Sequence, residues 1–597
     1  MTFTLDLMLA TTESPVCFSV LVQDTGSPKT TSTDESPHQS CQYTDPSPSA
    51  AECFRQCPFL MYSTIVTSCG GILFGFDTAA LNGILIMPSF ISTMGGDVLD
   101  GSGWANRNSW ITSSLLLGAA ACSPFAAVVA DNVGRKTSIN ISSVIICVGA
   151  CIQTGANSWQ VMIFGRVIVG AGVGMLSAII PIYLAEVSPK SIRGAVSSMF
   201  EVTVAVGILL AFTVNWLFTS LHGKSVSDSG KWRLVLGIQA ALAICLSALL
   251  LPLPESPKWL VSMGRRTKAR AVLDTLRKKV VLSRTITESE DALEVTNIDL
   301  EYAEICSESD AQIGQKTAWY DFTGLIHPSM LLRTSIGINI KLFQQLTGIN
   351  SIMYYSSTIF SSIGIKPDTT TAITGLVNVI ATILSVLLIE KCGRRALLVW
   401  GSAGMCISLL LVGAIVLGTD PSAPIAAGAI AFLICFFITN FAYSYGPIAW
   451  LYPAEIFPMS IRAKGVSMST SSDWLANFGV SKLVPLMILP GSVAGGLGGT
   501  FLIFGLLTFL TFLWGLSHIH ETARLSPEEI EEVFTVGTLS EYWKYVVSNC
   551  SYACYYGEMS MLDFTRKKKE CSRIALNQCD GSVGIGMSTR EEDIGSV

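Results

Sequence analysis

Charged side chains lie inside several long apolar runs of this sequence. Among them are Asp77, Arg166, Glu201, Lys341 and Asp473. A charge at the centre of a lipid bilayer costs at least about 2.5 kcal/mol, so such residues usually face a polar interior and mark an ion or substrate pathway. An aspartate beside an arginine stays ionised and takes up a proton when the two separate. The group indicates an ion or substrate pathway, and for Asp77 and Arg166 a static ion pair that locks two helices is the alternative.

Lys341 precedes Gln344 and Gln345 by one helical turn, so we expect it to face the same cavity as these amides. We predict that Lys341 pairs with Glu201 or Asp473 across that cavity. The five buried charges comprise three acids and two bases, which leaves one carboxylate that can be protonated at rest.

Amide side chains and a tryptophan also fall within the apolar runs. The set is Gln344, Gln345, Asn350, Asn378, Asn477 and Trp450. Amides donate and accept hydrogen bonds, and an indole offers a flat apolar face, which suits a ligand that carries a ring of hydroxyl groups. Amides also hold membrane helices together. From the residues alone, ligand binding and helix packing are both open.

The elements that must position these residues are membrane helices. Half of the 597 residues are apolar and 14% are charged, against about 25% in a typical soluble domain. Twelve runs are long enough to cross about 30 Å of hydrocarbon, six on each side of a charged stretch. We place them near residues 59–80, 109–130, 138–156, 161–183, 195–218, 233–253, 331–362, 370–389, 396–418, 425–452, 464–489 and 496–517.

The twelve apolar runs predict an all-α membrane protein, with six helices in each of two bundles and a helical loop between them. The expected parts are a disordered cytoplasmic tail (1–57), the first bundle (58–254), an intracellular helical linker (255–330), the second bundle (331–519) and a cytoplasmic tail (520–597). Amphipathic helices are expected in the linker near 267–280 and 288–307. Lys and Arg concentrate in the loops on one side of the predicted helices. The positive-inside rule assigns those loops, and with them both termini, to the cytoplasm. The net charge of −6 gives no reason to expect a nucleic-acid partner.

Two motifs occur once in each half of the chain. The segment 185–193 recurs at 454–462 with Glu, Pro and Arg at identical offsets, and 131–136 recurs at 390–395, so the sequence is an internal duplication. Paired acids and arginines at helix ends can form bidentate bridges, which we expect to join the two bundles and to break when the inner side opens. The residues of this expected cytoplasmic gate are Asp131, Arg135, Glu186, Arg193, Glu255, Glu390, Arg394, Glu455 and Arg462.

Further motifs complete the pattern. They are Gly70-Gly71-Ile72-Leu73-Phe74-Gly75-Phe76-Asp77, Gly165-Arg166, Pro254-Glu255-Ser256-Pro257, Gln344-Gln345-Leu346-Thr347-Gly348-Ile349-Asn350 and Gly446-Pro447-Ile448-Ala449-Trp450. With the duplicated motifs, they make the chain from about Gly70 to Thr522 resemble the sugar porter family of the major facilitator superfamily. The resemblance implies the twelve-helix major facilitator fold.

The resemblance also implies roles for individual residues. Gln344, Gln345 and Asn350 correspond to sugar contacts of the family, and Asp77 with Arg166 corresponds to the pair that links protonation to sugar binding in proton-coupled members. Some relatives retain this aspartate and work as plain facilitators.

Three positions depart from the family. Glu201 stands where relatives commonly carry Gln, Lys341 occupies a position that is usually neutral, and Asp473 replaces the Asn expected before Trp474.

The function that follows from the resemblance is transport of a monosaccharide, with a hexose as the first expectation, or of a polyol, by alternating access and with proton symport. A facilitative uniporter and a transporter-like sensor that signals through its tails are alternatives, and an acid such as quinate stays open as a substrate. The expected partners are the sugar or polyol, a proton and the lipid bilayer, and the expected location is the plasma membrane. We find no nucleophile with a base, metal-ligand cluster or phosphate loop, so neither an enzyme nor a cofactor is expected.

Overall fold

The computed structural model describes most of the chain between the two ends of the sequence. The described residues are 54–95, 101–189, 192–220, 228–278, 298–307, 309–310, 322–458, 461–489, 491–523, 525, 530 and 534. The expected tail over 1–53, residues 288–297 of the second amphipathic helix, and the tail after 534 lie outside them.

The first half of the chain forms six membrane segments, of which the first is broken into two helices at Cys69. The helices are α1 (Pro58–Ser68), α2 (Gly70–Ile84), the short α3 (Pro88–Thr93), α4 (Gly101–Val133), α5 (Arg135–Thr154), α6 (Trp159–Val187), α7 (Arg193–Ser220) and α8 (Asp228–Leu250). The second segment is longer than expected, since α4 begins at Gly101 rather than near 109.

Short helices follow at the end of the first bundle. They are α9 (Pro257–Ser262), α10 (Arg266–Arg277), a helix over 298–307 and α11 (Thr323–Ile326). Trp259, Leu273 and Ile305 form a small core of their own. Arg277 ties this core to the membrane helices, because it pairs with Glu301 at 2.7 Å and donates to the Val187 carbonyl at the end of α6. The amphipathic helix expected near 267–280 is confirmed.

The second half repeats the arrangement with two broken segments. Its helices are α12 (Pro328–Leu346), α13 (Ile349–Ser362), α14 (Pro367–Cys392), α15 (Arg394–Gly418), α16 (Pro424–Tyr443), α17 (Tyr445–Ile456), α18 (Arg462–Ile488) and α19 (Gly496–His518). The bundles meet where α4 packs on α18, α7 on α14 and α2 on α13.

Hydropathy identifies ten of the twelve segments in the part of the chain that the structure describes. The other two are α12 with α13, and α18. Each is less apolar because it carries charges and amides, among them Lys341 and Gln344 in α12 and Asp473 in α18. The expected twelve-helix architecture is confirmed, and the two least apolar segments are those that hold most of the candidate site.

Close helix packing depends on small residues in α6. A Cβ added at Gly174 would lie 2.6 Å from the Ala119 Cα of α4, and one added at Gly149 of α5 would lie 2.7 Å from the Val169 backbone nitrogen of α6. Larger side chains at these positions would push the helices apart, so α4, α5 and α6 form a compact unit.

We call the side of the molecule that carries Arg135, Lys136, Arg394 and Arg395 the basic end. Arg135 binds Glu186 through Nε and Nη2, each at 3.1 Å, and its Nη1 lies 3.1 Å from Asp131.

The second half repeats this cluster. Arg394 Nη2 donates to Glu455 at 2.9 Å, and Thr522 donates to the other oxygen of that carboxylate at 2.6 Å.

The expectation that these bridges join the two bundles is wrong for Arg135 and Arg394. Each arginine begins a helix whose neighbour in the same bundle ends at the glutamate, so the guanidinium reaches an acid of its own half. The bridges therefore hold each bundle together. At this end Asp131 lies near Lys464 of the other bundle, which attracts its carboxylate across the interface.

The remaining residues of the expected gate take different positions. Arg193 is the first residue of α7, and Arg462 Nε donates to the Phe457 carbonyl at 3.1 Å within its own bundle. The side chain of Glu390 lies outside the described part of the structure, as do the motif residues Lys190, Ser191, Met459 and Ser460.

Two glutamates cap equivalent helices at the basic end. Glu255 accepts hydrogen bonds from the backbone nitrogens of Lys136 and Thr137 at 3.1 and 3.0 Å, at the start of α5. Glu521 accepts from those of Arg394 and Arg395 at 2.8 and 3.0 Å, at the start of α15. A carboxylate at a helix N-terminus satisfies free N–H groups and the helix dipole.

A glycine makes room for each cap. Gly134 and Gly393 have φ angles of 102° and 82°, a conformation that other residues rarely adopt. The Glu255 carboxylate lies where a Cβ at Gly134 would stand, and the Glu521 carboxylate lies where one at Gly393 would stand. The sequence motif Gly-Arg is therefore a helix start with a distant carboxylate cap.

The chain beyond the last membrane segment folds back on the second bundle. Burial, with Arg395 and His518 nearby, lowers the pKa of His520 to about 4, so its ring is neutral at physiological pH and packs edge-on against Phe534. Arg333 lies over the same phenyl ring at 5.1 Å. Within the segment expected as the cytoplasmic tail (520–597), Phe534 is thus packed against the second bundle and is 8% exposed.

The two caps predict matched losses of stability. Replacing Glu255 or Glu521 by Ala removes a charged cap, and we expect each change to lower the free energy of unfolding by about 1–2 kcal/mol. Denaturant titration of the purified protein measures this. The control is Glu304→Ala, an exposed carboxylate, with an expected change within about 0.5 kcal/mol. If Glu521→Ala unfolds like the control, the cap is not a stabilising contact.

Candidate functional site

Breaks in two membrane segments open the space between the bundles. The seventh segment breaks at Gly348, whose φ is 81°, and the tenth breaks at Ser444, whose φ and ψ are −115° and −94°. Broken helices are typical of substrate sites in transporters. The first break lies between Gln345 and Asn350, and the second precedes Trp450 by less than two turns.

A polar cavity lies between the two bundles next to these breaks. About 60 Å³ of it is open to the centres of water molecules, which is room for a few waters. The structure brings all eight expected substrate contacts to its wall. They are Glu201, Gln344, Gln345, Asn350, Asn378, Trp450, Asp473 and Asn477.

Hydrogen bonds order the amides along one side of the cavity. Asn350 donates to Gln345 Oε1 at 2.6 Å, and Gln345 Nε2 donates to Asp473 Oδ1 at 2.8 Å. Gln344 Nε2 donates to the Tyr445 carbonyl at 3.1 Å, beside the break in the tenth segment. In the part of the chain that the structure describes, Gln344 Oε1 is buried without a partner. That oxygen is a free acceptor at the cavity wall.

Aromatic rings close the cavity toward the basic end. The Phe74 ring meets Trp474 and Trp450 edge-on, with centroids 5.1 and 6.3 Å apart, and Phe200 meets Trp450 in the same way at 5.9 Å. The Trp474 indole nitrogen lies 3.3 Å from Ser177 Oγ, which ties α18 to α6 of the other bundle. The wall therefore combines residues from both bundles.

The structure corrects the expected ion pair of Lys341. Its ammonium lies over the face of Trp450, 2.9 Å from the ring centroid, and makes neither a hydrogen bond nor an ion pair with any described residue. Glu201 and Asp473 act on it only through their electrostatic field. The indole face satisfies the cation from one side, which is why no carboxylate needs to touch it.

Glu201 lies opposite, on α7 of the first bundle. Its carboxylate lines the cavity, and among the described residues its buried Oε2 has no hydrogen-bond partner. Lys341 attracts this carboxylate and Asp473 repels it. The cavity thus contains two acids and one base that do not touch one another directly.

The expected pair of Asp77 and Arg166 is present. Arg166 Nη1 lies 3.3 Å from Asp77 Oδ1, and the side chains of Arg166 and Asp77 are 1% and 2% exposed. Gln239 donates to the same carboxylate at 2.9 Å, and Arg166 also donates to the Ile111 carbonyl at 3.1 Å. The pair links α2, α6 and α8 within the first bundle.

Tyrosines of the second bundle reach this pair. Tyr354 lies within electrostatic range of Asp77 and Arg166, and Tyr355 within range of Arg166. Tyr355 also donates to the Ser481 carbonyl at 3.2 Å. A change in the charge of this ion pair therefore alters its electrostatic interaction with α13 of the second bundle.

Polar contacts join the bundles at the end opposite to the basic end. Asn82 donates to Ser356 Oγ at 2.6 Å and accepts from the Ser357 nitrogen at 2.9 Å. Ser109 donates to the Lys482 carbonyl at 2.9 Å. These contacts close the cavity on that side.

Sequence reasoning missed four of these residues. Gln239 is a lone amide in the sixth apolar run, Tyr354 follows Asn350 by one helical turn, and Asn82 lies at the end of the first run. Glu521-Thr522 follows the twelfth run much as Glu255-Ser256 follows the sixth, so the duplication could have identified Glu521.

Comparison with known proteins gives the same picture. A family model described as "Sugar (and other) transporter" matches residues 63–534. A probable glucose transporter of Neurospora crassa is 30% identical over 490 residues, which cover 80% of this chain and 79% of the relative. A D-xylose transporter of Levilactobacillus brevis is 31% identical over 477 residues, 79% of this chain and 94% of the relative.

The fold matches solved transporters of the major facilitator superfamily. The proton:xylose symporter XylE, solved with 6-bromo-6-deoxy-D-glucose, superposes with a TM-score of 0.67 at 25% identity, over 80% of this chain and 99% of XylE. The family model covers more than half of the sequence, and the twelve membrane segments fit the fold of the solved relatives. This chain therefore belongs to the sugar transporter family of the major facilitator superfamily, as a multi-pass membrane transporter and not an enzyme.

Proposed function

We propose that this protein carries a neutral monosaccharide, with a hexose as the first choice, or a related polyol, together with a proton. The observation that carries the proposal is the cavity between the bundles, where amides, an indole face and free polar atoms meet. A sugar hydroxyl can accept from Asn350 and donate to Gln344 Oε1, while the apolar face of the ring packs on an aromatic side chain. The names of the glucose and xylose transporters among the relatives support this substrate class.

Alternating access follows from the size of the cavity. A space for a few waters is too small for a monosaccharide, so the bundles must separate on one side before the ligand enters. Contacts at Asn82 and Ser109 hold one side closed, and the packing of Trp474 on Ser177 holds the other. Because Arg135 and Arg394 clamp their own bundles, each half can move as a unit.

The proton site that we propose for coupling is Asp77. Contacts with Arg166 and Gln239 favour the ionised form of this carboxyl, and separation from Arg166 would favour its protonated form. Tyr354 connects this pair to the second bundle, so protonation and bundle movement can be linked. A static pair would give a facilitative uniporter instead.

We further propose a plasma-membrane location with both termini and the basic end in the cytoplasm. The cations at Arg135, Lys136, Arg394 and Arg395 support this orientation. Protease protection of an epitope tag at the C-terminus in intact cells supports it, and cleavage of the tag from outside contradicts it.

Loss of the central amide should weaken sugar binding. Gln345 joins Asn350 to Asp473, and we expect Gln345→Ala to weaken D-glucose affinity by about 10- to 100-fold, since it leaves the partners of the amide unpaired. Calorimetric titration of the purified protein measures the affinity. Asn339→Ala, on the same helix but bonded to Ser335, is the matched control. Equal affinities for the two variants would contradict the cavity as the sugar site.

Removing the Asp77 charge should uncouple transport from the proton gradient. An inside-alkaline gradient of one pH unit supports about tenfold sugar accumulation at a stoichiometry of one proton per sugar. In proteoliposomes we expect this accumulation for the natural chain and simple equilibration for Asp77→Asn, in which the side chain is permanently neutral.

The control for that experiment is Asp420→Asn, an exposed acid in the loop between α15 and α16 that should accumulate sugar normally. Full accumulation by Asp77→Asn would exclude Asp77 as the coupling site. If the natural chain equilibrates sugar without accumulating it, the protein is a uniporter.

A further inference from the structure

The charged cluster of the cavity has no role in the coupling proposed above. Glu201 on α7, Lys341 on α12 and Asp473 on α18 are separate from the pair of Asp77 and Arg166. They belong to different bundles, so a ligand between them would touch both moving halves.

The cluster contains one more acid than base. Lys341 and Asp473 are 1% and 2% exposed, and Glu201 Oε2 is buried. One ammonium can compensate one carboxylate, and a second ionised carboxylate would leave a net negative charge inside the membrane at a cost of several kcal/mol. A proton on one acid removes that charge.

Hydrogen bonds indicate which acid holds the proton. Gln345 Nε2 donates to Asp473 at 2.8 Å, which stabilises the ionised form of that carboxylate. The described surroundings of Glu201 Oε2 offer it no donor. Lys341 therefore compensates Asp473, and Glu201 is the neutral acid.

Other charges around Glu201 are already engaged. On α2, Asp77 contacts Arg166 of α6, and on α17, Glu455 contacts Arg394. Lys341 and Asp473 are the charged groups that act on Glu201 across the cavity.

We propose that Glu201 is a second proton-binding residue of this transporter, and that its protonated carboxyl donates a hydrogen bond from Oε2 to a hydroxyl of the bound sugar. This inference rests on the proposed function and refines its binding site. A protonated Glu offers a donating O–H group and an accepting C=O group, much as the Gln that resembling sugar porters commonly carry at this position offers a donating NH2 group and an accepting C=O group. Ionisation removes the donor and adds an uncompensated charge, so the sugar binds the protonated form better.

Linkage gives the sign of the pH effect. Because sugar binding favours the protonated carboxyl, sugar affinity is constant at low pH and falls as Glu201 ionises, by up to about tenfold per pH unit. Proton uptake with sugar is the direction that symport requires. The cluster therefore makes sugar binding itself depend on pH, and net coupling to the proton gradient still requires Asp77.

The first test is the pH dependence of sugar binding by the purified full-length protein, with D-glucose and D-xylose as probes. Calorimetry from about pH 5 to about pH 9 should show affinity that weakens about tenfold or more in the natural chain. In Glu201→Gln, which keeps a donor and an acceptor at all pH values, affinity should fall clearly less than in the natural chain, because only the Asp77 pair can still make it depend on pH. If the dependence of sugar affinity on pH is the same in Glu201→Gln as in the natural chain, the proposal is overturned.

The second test does not need a sugar. Infrared difference spectra between the natural chain and Glu201→Gln at neutral pH should contain the C=O stretching band of a protonated carboxylic acid. Glu304→Gln, an exposed acid, should lack that band difference. Absence of the band for Glu201 overturns the proposal.

A further variant guards against misfolding of the first. Lys341→Gln removes the cation that attracts the Glu201 carboxylate, so Glu201 should stay protonated to higher pH, and the fall in affinity should begin at higher pH than in the natural chain. An unchanged pH profile in Lys341→Gln contradicts the charge balance. If neither sugar binds the natural chain at any pH, the proposed function fails, and the infrared band still decides whether Glu201 holds a proton.

Discussion

The cost of placing charge and unpaired polar groups in a membrane governs this structure. Asp77 and Arg166 meet that cost by contacting each other and a third polar side chain, and Lys341 meets it through the face of Trp450. The amides of α12 and α13 meet it by bonding to one another and to Asp473. Polar atoms therefore concentrate where the two bundles face each other, and the lipid-facing surfaces stay apolar.

The helices around this polar interior are duplicated between the two halves of the chain, whereas the residues of the candidate site differ between the halves. Glu255 and Glu521 cap equivalent helices, and Arg135 and Arg394 clamp equivalent bundles at the basic end. The charged cavity residues have no such symmetry, since Lys341 and Asp473 come from one half and Glu201 from the other. The two bundles can thus move as similar units. Substrate recognition depends on residues of both bundles, which come together only when the bundles are close.

Much of the fold could be predicted from the sequence, because apolar runs of membrane length and duplicated motifs are one-dimensional signals. The cavity residues were also predictable, because amides and charges inside those runs are costly when they face lipid and so tend to face a polar interior. The partners of individual side chains could not be predicted. Lys341 lies over an indole face and contacts neither of the two acids, and Arg135 binds Glu186 of its own bundle. Such choices depend on distances of a few ångströms between helices, which spacing along the chain does not encode.

In the proposed transport cycle, the polar cavity carries a sugar while Asp77 carries a proton. The most direct measurement is the external pH of weakly buffered cells that express this chain, recorded as D-glucose or D-xylose is added. Coupled uptake should make the medium more alkaline as the sugar enters, and a protonophore should abolish the change. Entry of labelled sugar with no change in external pH would contradict proton coupling, and entry of neither sugar would contradict the cavity as a site for these monosaccharides.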